Sequence, residues 1–203
     1  MMKQGTLFII SAPSGAGKTS LVGEILSRGD NIQASVSHTT RERRPGEKDG
    51  VNYHFISQSE FLKMVGDNSF LEHAEVFGNH YGTSERWVKM TLELGIDVIL
   101  EIDWQGAEQA RKYFPSSQSI FILPPSKQAL RERLTLRGQD NLEVIDRRIA
   151  AATQEMVHHI DADYLIINDN FETARAQLES IITAQRCRLS ATDHQDLLLD
   201  LLS

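Results

Sequence analysis

Residues 12–20, APSGAGKTS, are the stretch whose residue types dictate a chemistry by themselves. Gly15 and Gly17 let the chain take positive φ and turn several backbone N–H groups toward one anion. Lys18 adds a full positive charge, and the Thr19 hydroxyl can ligate Mg2+. Amides, ammonium and hydroxyl in that order make a phosphate cradle, the P-loop, which works only between a strand and a helix. Both flanks comply. Residues 7–10, LFII, are the kind of short apolar run that a parallel sheet buries, and residues 19–27 favour a helix whose positive dipole end faces the loop. The pattern G-x-x-x-x-G-K-[ST] asks for glycine where Ala12 stands, and alanine serves there if its φ stays negative. An ordinary glycine-rich turn is the competing reading; the intact Gly17-Lys18-Thr19 between strand and helix outweighs it.

An acid at the end of a neighbouring strand is the usual partner of phosphate-bound Mg2+, which it steers through the cation's waters. Residues 97–102, DVILEI, read as such a strand, so Glu101 and Asp103 are the candidates. Asp103-Trp104-Gln105-Gly106 also fits the D-x-x-G of switch GTPases, but the Asn-Lys pair with which those proteins identify guanine occurs nowhere in the chain. The histidines lack metal-ligand spacing, so no structural metal held by protein ligands is expected. No Ser-His-Asp or Cys-His nucleophile system is discernible either, and phosphoryl transfer needs none.

Net charge is −7, which argues against bulk attraction to nucleic acid or an anionic membrane. Against that background the basic residues concentrate at Arg41, Arg43, Arg44 and Lys48 and again at Lys127, Arg131, Arg133, Arg137, Arg147 and Arg148. Two arginine concentrations and a P-loop suit several phosphate groups on small ligands. Arg43, Lys127 and Arg131 are better read as solvated surface charges. Cys187 is the single cysteine, which excludes an internal disulfide and fits a reducing cytoplasm; residues 1–5 hold no secretory segment, and no apolar run reaches membrane-spanning length.

These groups need an α/β framework to hold them. Residues 32–39 read as a strand, 41–50 as an arginine-bearing loop, 51–56 as a strand and 57–65 as a capped short helix. Residues 70–83 suggest two strands joined by a Gly-Asn turn. The segment 32–84 is therefore an inserted β-rich lobe. Around it runs a βα alternation: a helix over 86–93 stopped by Gly95, the strand 97–102, a helix to about 113, a strand over 119–123, helices over 126–137 and 141–159, a strand over 164–167 and a helix over 171–189. Leucines 197, 198, 201 and 202 share one helical face, expected to dock on the domain's own surface or, alternatively, to join two copies.

SAPSGAGKTSL, SVSHTTRERRPGEKDGVNYHF, FLEHAEVFGNHYGTS, LEIDWQGA, ILPPS, RLTLRGQD and YLIINDN stand in the order found in bacterial guanylate kinase, and the resemblance spans residues 5–189. It implies a parallel sheet flanked by helices (core 1–31, 85–125 and 156–189), a GMP-binding lobe over 32–84, a helical lid over 126–155 and a tail over 190–203. It implies transfer of the γ-phosphoryl group of ATP to GMP, with dGMP a further candidate acceptor, with Mg2+, in a cytoplasmic monomer or homo-oligomer. ATP would lie on Ala12, Pro13, Ser14, Gly15, Ala16, Gly17, Lys18, Thr19 and Ser20, with Asn168 near adenine. Arg133, Arg137 and Arg148 would close on the phosphates. Glu72 would accept from the two guanine donors, with Ser37, Thr83 and Asp103 beside it; Arg41, Arg44, Tyr53 and Tyr81 would hold the GMP phosphate. Glu101 stands where the family usually carries aspartate, one methylene shorter. The alternatives are a guanylate-kinase-like binding module without activity, or a kinase for another nucleoside monophosphate. An intact G-K-T in a free-standing domain disfavours the first.

Overall fold

The structure, a computed structural model, describes residues 4–76, 78–136, 141–188 and 195–203. Its centre is the apolar run recognised above, strand β1 (Leu7–Ser11), buried along its whole length. β1 pairs in parallel with β7 (Asp97–Glu101) on one side and with β8 (Gln118–Leu123) on the other. β2 (Ile32–Ala34) and β9 (Tyr164–Ile167) complete a five-stranded sheet in the order β2-β7-β1-β8-β9. Side chains alternate across it. Phe8, Ile10, Ile99, Ile120 and Ile166 share a cluster with Leu21 and Val22 of α1 (Lys18–Arg28) and Leu178 of α7 (Phe171–Arg186). Leu7, Ile9, Val98 and Leu100 pack with Val88 of α3 (Glu85–Glu93) and Ala110 of α4 (Trp104–Tyr113). Functional loops therefore gather where such sheets bind ligands, at the carboxyl ends of the strands.

A second sheet, ordered β4-β3-β6-β5, comprises β3 (His38–Thr39), β4 (His54–Phe55), β5 (Phe70–Val76) and β6 (Asn79–Ser84). β5 and β6 are the expected hairpin, with Gly78 at φ 74° in its turn. Helix α2 (Gln58–Gly66) begins with a complete capping box between Ser57 and Glu60. α4 ties this lobe to the core: Gln109 Nε2 donates to the His73 carbonyl at 2.9 Å and its Oε1 accepts from His73 N–H at 3.1 Å, capping edge strand β5.

Four expectations change. The strand read over 32–39 is two strands in different sheets, because Ile32–Ala34 pairs with β7 while His38–Thr39 pairs with β6. The strand over 51–56 shrinks to His54–Phe55, since the preceding residues turn back through Gly50 N–H to the Tyr53 carbonyl. The helix over 141–159 is α6 (Leu142–Met156), followed by a 3₁₀ turn, Val157–Asp161. α6 packs on α5 (Lys127–Leu136) around Leu130, Leu134 and Ile145. The leucines of α8 (Gln195–Leu202) are exposed rather than docked on the domain's own surface. Among the described residues no helix is long and apolar enough to cross a membrane.

Candidate active site

β1 delivers the chain into the loop at Ser11, and the loop closes through Ala16 N–H on the Pro13 carbonyl at 3.1 Å. Gly15 and Gly17 take φ of 90° and 97°, and Gly17 caps α1. Ala12 is not among the positive-φ residues, which is the condition that lets alanine stand there. The loop is also bolted from behind. Asn168, buried at the end of β9, donates through Nδ2 to the Ala16 carbonyl at 2.8 Å. Arg133 of α5 donates to the Asn168 carbonyl at 2.7 Å and more loosely to that of Ala16. A Cβ on Gly17 would lie 2.3 Å from Asn168 Nδ2, so this glycine serves both backbone conformation and close approach.

Lys18 Nζ donates to the Ile102 carbonyl at 3.2 Å, just past the end of β7. Burial lowers its pKa, opposed by the charges of Glu101 and Asp103. Thr19 Oγ1 donates to Glu101 Oε2 at 3.1 Å, so the longer acid reaches the P-loop hydroxyl. Ser20 is exposed in the first turn of α1.

A cavity of about 300 Å³ runs from the loop to Glu72, with Ser37, Asp103 and Glu155 on its walls. Glu72 is 3% exposed, on β5, and pairs in register with Thr83 of β6, itself 1% exposed. Thr83 Oγ1 and Ser37 Oγ lie 3.2 Å apart. Burial pushes the Glu72 carboxyl up to about 7, helped by the Asp103 charge and opposed by the Thr83 hydrogen bond and Lys18. Asp103 caps α4: its Oδ1 accepts from Gly106 N–H at 2.9 Å and its Oδ2 from Gln105 Nε2 at 3.1 Å.

A wider cleft of about 1390 Å³ shares Lys18, Thr19 and Ser37 with that cavity and extends to Arg41, Arg44 and Arg148. Arg41 pairs with Glu47 at 2.7 Å, its guanidinium lying 5.4 Å from the centre of the Tyr53 ring. The Tyr53 and Tyr81 rings stand edge to face with centroids 5.9 Å apart. The other Glu47 oxygen accepts from Arg44 N–H at 2.8 Å, and the Arg41 hydrogen bond holds the Glu47 carboxyl below the usual range. One carboxylate thus holds the Arg41 guanidinium and the Arg44 backbone.

Apart from Ser20, which lines neither cavity, the site residues named from the sequence lie together on these two cavities or directly behind them, with two qualifications. Arg137 lies outside the described residues. Asn168 and Arg133 brace the back of the loop through its carbonyls. Sequence reasoning missed Glu47 and Glu155. Glu47 had a faint signal, an acid inside an arginine-rich turn. Glu155 had none, for only the return of α6 brings it to the P-loop, where burial raises its carboxyl. Arg131, expected on the surface, forms an exposed ion pair with Asp146. Among the described residues no group of three or more His, Cys, Asp or Glu gathers as a metal site.

A family model described as guanylate kinase matches residues 4–185. The chain is 58% identical to the guanylate kinase of Saccharophagus degradans, with 100% of both chains covered. It is 59% identical to that of Hahella chejuensis, over 93% of this chain and 91% of that one. It superimposes on the crystal structure of guanylate kinase from Anaplasma phagocytophilum with a TM-score of 0.80 at 32% identity, covering 98% of this chain and 95% of the other. At this identity and coverage the chain belongs to the guanylate kinase family.

Proposed function

We propose that the protein transfers the γ-phosphoryl group of ATP to GMP. The observation that carries this reading is the position of Glu72: a buried carboxylate, with two hydroxyls beside it, in the same cavity as the P-loop lysine. Guanine offers N1–H and an exocyclic NH₂ as donors and O6 as an acceptor. The ionised Glu72 accepts from both donors, and a hydroxyl of Ser37 or Thr83 donates to O6. Adenine has no N1–H, and the unsatisfied carboxylate rejects it. Residues 35–84 act as the monophosphate lobe, Arg41 and Arg44 gripping the GMP phosphate with Tyr53 and Tyr81, and α5–α6 act as the lid.

Lys18 and the loop amides hold the β- and γ-phosphates and stabilise charge on the transferring group, while Arg148 approaches from the lid. The attacking GMP oxygen is already anionic, so no general base is assigned. The adjacent Thr19 hydroxyl and Glu101 carboxylate are the hard oxygen donors that suit Mg2+, the former directly and the latter through water. Bound there, the cation would neutralise phosphate charge. ADP release from ATP with Mg2+ and each of GMP, dGMP, AMP, CMP, UMP and dTMP tests the proposal. Turnover with GMP far above AMP and the pyrimidines is expected, and no turnover with GMP rejects it.

A further inference from the structure

We propose that Gly106 is a positioning residue for guanine selection, its missing side chain leaving the space in which the Glu72 carboxylate lies. The inference rests on the reading of Glu72 given above and goes beyond it to a residue that touches no substrate. Gly106 sits in the first turn of α4, where glycine costs up to about 1 kcal/mol relative to alanine. Conformation does not require glycine there, since its φ is not in the left-handed region. Space does. A Cβ at this position would fall 2.4 Å from Glu72 Oε2, 3.1 Å from Glu72 Cδ and 3.4 Å from the Ile102 Cβ. The first distance lies well inside van der Waals contact.

The same residue touches the second acid of the pocket. Its N–H donates to Asp103 Oδ1 at 2.9 Å. One peptide unit therefore holds Asp103 by a hydrogen bond and admits Glu72 by lacking a side chain. An alanine at 106 keeps the N–H, and with it the Asp103 cap, but it collides with Glu72. Because β5 is fixed to β6 by its ladder and to α4 by Gln109, the Glu72 side chain, not the strand, must yield. The consequence is selective: the base-reading carboxylate is displaced while the P-loop and the arginine loop stay as they are.

The test is Gly106→Ala, assayed with GMP and ATP varied separately. KM for GMP should rise about ten-fold or more, KM for ATP should stay within about two-fold, and the preference for GMP over AMP should fall. In a double variant, Glu72→Asp withdraws the carboxylate by one methylene, so the combined loss in kcat/KM for GMP should be smaller than the product of the two single losses. An unchanged KM for GMP, equal losses for both nucleotides, or losses that simply multiply would each overturn the inference. Melting temperatures give an independent readout should Gly106→Ala fold poorly. In a Glu72→Ala background the clash is gone, so adding Gly106→Ala should leave the melting temperature unchanged or raise it; a further fall overturns the inference. Glu72→Gln separates this idea from the site reading. If that variant keeps full GMP selectivity, the reading of Glu72 is wrong, whatever Gly106 does; if it loses selectivity while Gly106→Ala does not, only the role of Gly106 is lost.

Discussion

On the proposed function, the two ends of the cleft bind their nucleotides in opposite ways. At the P-loop end the ligand-facing groups are mostly backbone amides, set by two left-handed glycines and braced from behind by Asn168 and Arg133. At the other end they are side chains, carried on β5, β6 and the loops beside them, with Arg41 and Arg44 tied by Glu47 and Glu72 buried. Backbone amides read charge and little else, which suits a triphosphate common to all nucleotides. A desolvated carboxylate reads which hydrogens a base presents, but in the empty pocket it carries a burial penalty. Generic affinity can thus be built into a relaxed loop, while identity is read at a site under electrostatic stress.

The largest effect expected from this contrast is at Lys18. Lys18→Ala should lower kcat by roughly 100- to 1,000-fold while GMP still binds, as measured by steady-state kinetics and calorimetric titration. Loss of GMP binding in this variant would mean that the two ends are not independent. Glu72→Gln comes next, with kcat/KM for GMP reduced by about 10- to 100-fold and KM for ATP unchanged, because an amide cannot accept from both guanine donors.

The same substitution exposes the stress at this end. The folded carboxyl titrates at about 7 against an ordinary 4.5, so the folded state holds that proton more tightly than the unfolded chain does. The penalty is absent below pH 4.5, grows between 4.5 and 7, and is complete above 7. There it amounts to roughly 3 kcal/mol, each pKa unit being worth about 1.4 kcal/mol. Glu72→Gln should therefore raise the melting temperature of the nucleotide-free protein at pH 8 and lose that advantage near pH 4.5. An equal shift at both pH values would show that the charge is not what strains the pocket.

Asn168→Ala probes the brace at the other end. It removes the amide from the Ala16 carbonyl, so stability should fall by about 1–2 kcal/mol and KM for ATP should rise, while KM for GMP stays near its original value. The smallest effect is expected at Arg131→Ala, where an exposed ion pair with Asp146 is worth under about 1 kcal/mol and both KM values should be unaffected.

The contrast also explains what could be read from the sequence. The P-loop was legible because its chemistry is local: glycines, lysine and hydroxyl adjoin in sequence, and the flanking apolar run and helix reveal their own periodicities. The core strands and helices were legible for the same reason, and Gly95, expected to stop α3, does follow its last turn with φ of 76°. The proposed guanine end was not readable in this way. Ser37, Asp103 and the hairpin that carries Glu72 and Thr83 come from three separate stretches, and only the resemblance to a known family brought the three together; strand pairing and the α4 cap now account for their meeting. Loose alternation over residues 32–39 could not reveal that the chain changes sheets midway. Gly106 was noticed only as a letter of D-x-x-G and of LEIDWQGA, because its significance is an empty volume beside a side chain 34 positions earlier.

The Asn168 amide has a consequence for the order in which this protein becomes competent. Its hydrogen bond joins residues 152 positions apart, and Arg133 locks onto the same pair. During synthesis the glycine loop leaves the ribosome early, but the strand that leads to its brace is the last of the sheet to be made. A nascent chain therefore carries the glycine loop and its lysine long before it carries the residues that brace them.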